Sequence, residues 1–159
     1  MFGGNDGNLP QSDTWELRMV PSGVALYGSG CGSPPLTLLA ASTPRMGSTA
    51  SCLIGPVPAP YLGAVALGFS NTSASGVPLP FELTSLGLPG CFQHTSAEAN
   101  PVPVTTGLAT GMLQFQVAIP NHTSWLSAKL YLQAYCLAPS YNPGGAIVSN
   151  GIEWTIGVQ

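Results

Sequence analysis

Positive charge is almost missing from this chain: Arg18, Arg45 and Lys129 are its only lysines and arginines, set against six carboxylates. A nucleic-acid partner needs a basic stripe and an anionic membrane surface needs a polybasic cluster, so both are excluded as partners. Charged residues of either sign make up 6% of the chain, where about a quarter is usual. No apolar run approaches the 18 or more residues of a membrane helix, the nearest being "YLGAVALGF" at 61–69. The opening "MFGGNDGNLPQ" has neither a basic nor an apolar stretch and is not read as a signal peptide.

Catalytic signatures are missing too. There is no G-x-S-x-G elbow, H-E-x-x-H, P-loop or G-x-G-x-x-G. The four cysteines include no C-x-x-C pair, and His94 and His122 stand far from ligand-like spacing, so no metal and no cofactor is expected. "NDGN" at 5–8 offers oxygens without the spaced acidic series of a calcium loop. Glu82 and Glu98 enter as a glycosidase pair by elimination only, and His94 and His122 read as solvated loop histidines.

What is present is turn chemistry and short apolar runs. The 159 residues include 20 glycines and 16 prolines, yet 45% of the chain is hydrophobic. Period-2 alternation predicts strands over 14–20, 23–28, 36–42, 49–55, 62–70, 111–120, 125–137 and 151–158. Residues 79–87 offer at most a turn or two of helix, and 92–106 reads as the longest irregular loop. The expected fold is all-β: an antiparallel β-sandwich of about eight strands, jelly-roll or immunoglobulin-like, with a small barrel as competitor. Residues 1–13 form an N-terminal arm and 14–159 a single domain.

Several fragments taken together, "YGSGCGSPPLTL" (27–38), "LGFSNTS" (67–73), "LPFELTSLGLPGC" (79–91), "IPNHTSWLSAKLYLQAYCLAP" (119–139) and "NPGGAIVSNGIEWTIG" (142–157), resemble a β-domain found near the C-termini of secreted or surface proteins of planctomycetes and related bacteria. The resemblance spans about residues 26 to 159. It implies a secreted β-sandwich with no transferable activity, and a disulfide between Cys31 and Cys91. Cys52 and Cys136 are extra. Both fall on the inward phase of their strands and are expected to bond to each other.

An even cysteine count in a lysine-poor, turn-rich chain points to an oxidising, extracellular or cell-surface location. Asn71 and Asn121 begin N-x-S/T acceptor patterns, which mark surface loops where a host glycosylates. The strand at 125–137 puts Tyr131, Gln133 and Tyr135 on the face opposite Leu130, Leu132, Ala134 and Cys136. Three readings of that tyrosine face are open: cross-strand packing, a self-association surface, or a platform on which sugar rings stack. The expected function is a non-catalytic structural protein that assembles with copies of itself into a fibre or surface layer through its arm, Phe2 included, and its sheet surface. The alternative is a glycan-binding module using Trp125, Tyr131 or Tyr135.

Overall fold

The computed structural model describes residues 20–104, 107–109 and 111–158, with side chains left aside over 105–110. The arm at 1–13, with Phe2, and nearly all of the strand predicted over 14–20 lie outside these residues.

The described chain is all-β and antiparallel. It runs through β1 (Gly23–Tyr27), β2 (Thr37–Ala40), β3 (Thr49–Gly55) and β4 (Gly63–Gly68). Two short ribbons follow, β5 (Ser73–Ala74) with β6 (Val77–Pro78), and β7 (Phe81–Glu82) with β8 (Phe92–Gln93). A single 3-10 turn, Leu83–Leu86, separates β7 from β8. The rest comprises β9 (Val102–Val104), β10 (Gly107–Ala109), β11 (Met112–Ala118), a 3-10 turn at Thr123–Trp125, β12 (Lys129–Leu137) and β13 (Ala146–Thr155). One sheet has the order β1-β13-β12-β4-β9, the other β10-β11-β3-β2.

Alternation explains how the sheets meet. In β3 the side chains of Ala50, Cys52 and Ile54 are buried, and in β11 Leu113 and Phe115. From the other sheet Val65, Leu130, Leu132, Ile152 and Trp154 turn inward to the same core. Apolar burial of this kind stabilises by roughly 1.5–3 kcal/mol per large side chain, which makes the shared core the main cohesive term.

Two expectations change. The loop predicted over 92–106 carries β8 and β9, because a two- or three-residue strand is too short to leave a periodic signature. The last strand begins at Ala146, not 151, because Ser149-Asn150-Gly151 is a bulge inside the strand and not a turn before it. Gln133 faces Gly151 and Tyr135 faces Val148, so Ala134 alone opposes both Ser149 and Asn150. The Ser149 hydroxyl accepts the Ala134 N–H at 2.9 Å, replacing the ladder bond that the bulge removes.

Candidate functional site

β12 is buried on both faces. Its inner face lies in the core, and its outer face is covered by the chain that follows β8. Gln133, fully buried, fixes that cover. Its side-chain amide donates to the carbonyls of Phe92 and Ser149, both at 2.8 Å, and its Oε1 accepts the His94 N–H at 2.8 Å. The Thr95 hydroxyl donates to the Tyr131 carbonyl at 3.3 Å.

The outward tyrosine stripe is therefore corrected. Tyr131 retains 8% of its surface, and Tyr135 and Trp125 are half-buried against the core. The Tyr27 ring stands edge-on to Tyr131 and to His94, each 6.2 Å away between centroids, and its hydroxyl donates to the His94 carbonyl at 3.2 Å. Of the three readings of this face, packing accounts for its low charge: like charges here would be buried under the covering segment.

The histidines are corrected in part. His94 is buried, with Nε2 3.1 Å from the Ser29 carbonyl. His122 is exposed, and its Nδ1 accepts the Ser124 N–H at 3.2 Å, capping the second 3-10 turn.

Charge is spent locally. Lys129 Nζ meets Glu153 Oε1 at 2.6 Å, and this hydrogen bond raises the lysine's pKa. Glu98 accepts from the Ser96 hydroxyl at 2.6 Å and the Phe69 N–H at 2.9 Å; the Ser96 bond leads in holding its carboxyl below the usual range. Glu82 accepts from the Thr84 hydroxyl at 2.7 Å and the Gly90 N–H at 3.3 Å. Burial raises the phenols of Tyr27 and Tyr131, and pushes Tyr135 up to about 12. Among the described residues no three His, Cys, Asp or Glu side chains come together as a metal site.

Cys31 and Cys91 form a disulfide with an S–S distance of 2.07 Å, closing 60 residues of chain and anchoring the covering segment at its start. Cys52 and Cys136 are not bonded; both are free, buried thiols. They point inward from facing sheets, and sheets pack about 10 Å apart whereas a disulfide needs Cα atoms roughly 4.4–6.8 Å apart. Burial pushes both thiols up to about 12, which further removes the thiolate that exchange requires. Asn71 lies half-buried and Asn121 exposed, each in a loop.

A concave feature among the described residues lies elsewhere. Where the β12–β13 hairpin, the loop after β1 and the loop after β3 meet, a groove of about 420 Å³ opens at one end of the sandwich. Pro34, Pro56, Pro58 and Pro139 wall it, Ile147 lies among them, and Tyr141 stands 46% exposed at its side. No charged residue lines it. A smaller hollow of about 250 Å³, lined by Leu62, Tyr135 and Leu137 among others, adjoins it through Leu137 and Ala138. In the sequence its walls appear only as three separate proline-rich breaks, "SPP", "PVPAP" and "APSY".

No helix among the described residues is long and apolar enough to cross a membrane. Comparison with protein-family models, curated proteins and solved structures finds no match.

Proposed function

We propose that this protein is a non-catalytic extracellular structural domain that assembles with copies of itself into a fibre or surface layer. The observation that supports it most is the state of the surface. The described residues hold only five charged side chains: Lys129 pairs with Glu153, while Glu82, Glu98 and Arg45 hydrogen-bond to neutral neighbours. Large apolar side chains meanwhile stand open, among them Leu26 on the edge strand β1, Leu39 on β2, Phe69 and Leu86. A surface with so few charges has little to repel a like surface, and exposed apolar side chains favour contact. The Cys31–Cys91 disulfide fits an oxidising compartment.

Sedimentation velocity over a wide concentration range tests the reading. Average mass is expected to climb with concentration and to be unweakened by 1 M sodium chloride, since screening cannot remove apolar contacts. A monomer at every concentration would falsify it.

One observation favours a second reading. Tyr61 and Tyr141 are both exposed at the groove end, where the Tyr61 N–H donates to the Pro58 carbonyl at 2.8 Å. Aromatic faces so placed suit a sugar ring, which moves the glycan alternative from Trp125, Tyr131 and Tyr135 to these two. Glycan-array binding lost in Tyr141→Ala supports it; an array without signal removes it.

A further inference from the structure

Four strands form the margins of the two sheets: β1 and β9 of the larger, β2 and β10 of the smaller. A margin strand presents a row of backbone N–H and C=O groups to which another chain can add a strand, and folded proteins blunt such rows with short strands, proline, bulges or cover. Three of these margins are blunted. β9 is three residues long with Pro103, which has no N–H, at its centre. β10 is equally short, and its register shifts between Gly107 and Ala109. β2 is closed at Leu38 by the Asn150 side chain. β1 carries none of these devices: its five residues, "GVALY", pair with β13 without a register shift and include neither proline nor charge.

The alternation of the ladder fixes which groups of β1 turn outward. The Ile156 N–H donates to the Ala128 carbonyl at 2.9 Å, so even-numbered residues of β13 direct their backbone toward β12 and odd-numbered ones toward β1. In register with the odd ones, Gly23, Ala25 and Tyr27 bond to β13, and Val24 and Leu26 turn their N–H and C=O groups away from it. Among the described residues no backbone bond from elsewhere meets those groups. The side chains of Val24 and Leu26 share the inner face with Trp154 and Ile152, yet they stand 39% and 55% exposed. The smaller sheet ends at β2, which Asn150 holds against β13, one strand short of β1.

This strip is self-complementary. Two copies of β1 laid antiparallel about a two-fold axis at Ala25 place Val24 of each opposite Leu26 of the other, so the outward donors and acceptors meet as hydrogen-bonded pairs. The apolar side chains of both copies then gather beneath the joint, where neither smaller sheet reaches. Charge does not oppose the contact: residues 20–28 carry none, and Glu153, opposite Ala25, is matched by Lys129 at 2.6 Å. We infer that β1 of one copy adds to β1 of a second copy, antiparallel and centred on Ala25, joining the two larger sheets into one. The inference rests on the self-assembly reading above and specifies one contact of it. A two-fold contact closes on itself, so it yields a dimer, and growth into a fibre or layer proceeds from that unit through another surface.

Full-chain variants test it. Val24→Pro removes an outward donor from each copy and no bond to β13. It is expected to raise the dimer's dissociation constant by about tenfold or more in sedimentation, with the far-ultraviolet spectrum unchanged. Leu39→Lys charges a comparably exposed apolar position on β2 and is expected to leave the dimer intact. Ala25→Cys reads the register and does not depend on how the proline variant folds. The two positions 25 meet as a non-hydrogen-bonded pair with Cα atoms about 4.5 Å apart, within disulfide reach. With oxidised glutathione as the oxidant, Ala25→Cys is expected to run as a covalent dimer on non-reducing electrophoresis, and Leu39→Cys as a monomer. Wild-type assembly that Val24→Pro leaves unweakened, that Leu39→Lys weakens as much, or that Ala25→Cys fails to cross-link overturns the β1 contact and leaves the broader reading standing. A wild type that is monomeric at every concentration overturns both.

Discussion

Gly151 lies beneath the ring of Tyr27, and a methyl group placed there would stand 2.3 Å from Tyr27 Cζ. Gly28, at φ +66°, lies likewise beneath His94, where an added methyl group would collide with the imidazole ring. These two glycines let aromatic rings rest on backbone, and the Tyr27 ring in turn packs edge-on with both His94 and Tyr131. Gly151→Ala is expected to displace Tyr27 and cost about 1–3 kcal/mol, read from urea unfolding together with a changed near-ultraviolet signal from the tyrosines. The buried thiols give a second expectation at this scale. In the unfolded chain Cys52 and Cys136 ionise near the ordinary 9.0, whereas folded they hold their protons to about 12. Above pH 9 the folded state therefore binds more protons than the unfolded one, and stability falls as pH rises through this window. Tyr135, raised from 10.0 to about 12, joins with the same sign. In a Cys52→Ala, Cys136→Ala variant the alkaline loss of stability should begin nearer pH 10 than pH 9, as followed by denaturation at stepped pH. An onset unchanged from the wild type would show that the thiols do not govern it.

At the scale of elements, the bulge in β13 does two things at once. It turns Ser149 to close the gap opposite Ala134, and it sends the Asn150 side chain across to the other sheet. There Oδ1 accepts the Leu38 N–H at 2.8 Å and Nδ2 donates to the Leu38 carbonyl at 3.1 Å. Asn150 thus behaves as a one-residue strand against β2, which forms the margin of the four-stranded sheet. At Leu38 an edge that would otherwise offer free backbone groups is closed from within the molecule. Asn150→Ala is expected to cost about 1–3 kcal/mol, the penalty for leaving buried backbone groups without partners. Hydrogen exchange supplies the specific readout: the Leu38 amide should exchange faster than the β3 amides, which keep their ladder. By contrast β1 forms the margin of the larger sheet, with Val24 and Leu26 exposed. The two margins thus differ in backbone pairing at Leu38, while both carry exposed apolar side chains, Leu39 on β2 and Val24 and Leu26 on β1.

At the scale of the whole molecule, the segment following β8 is what converts a two-sheet sandwich into a fold whose central strand is dry on both faces. Three devices hold it: the Cys31–Cys91 bond at its start, the Gln133 amide at its middle and the Ser96–Glu98 pair at its end. The Ser96 hydroxyl also accepts the N–H groups of Phe69 and Ser70 at 3.1 and 3.0 Å, tying the segment to the end of β4. Closing a loop of 60 residues removes freedom from the unfolded chain, worth about 4 kcal/mol under the chain-entropy description. A Cys31→Ala, Cys91→Ala variant should lose about that much in equilibrium unfolding. Protease sensitivity should then appear first within residues 92–99, where the cover lifts from Tyr131. Cleavage elsewhere would place the weak point outside this segment.

The all-β class, seven of the larger strands and the poverty of charge were legible in the sequence, because alternation with period 2 and the spacing of glycine and proline are properties of neighbours along the chain. The pairing of Cys31 with Cys91 came from motif resemblance, since four cysteines alone leave three pairings open. Which face of β12 is wet was not legible. Tyr131 and Gln133 have the alternation of a solvent face, and only the passage of residues 92–96 over them makes it a second interior. Nor was the groove, whose walls come from three loops distant in sequence. Local pattern decided what each segment is; tertiary contact decided what lies on top of it, because burial depends on every residue that arrives from elsewhere.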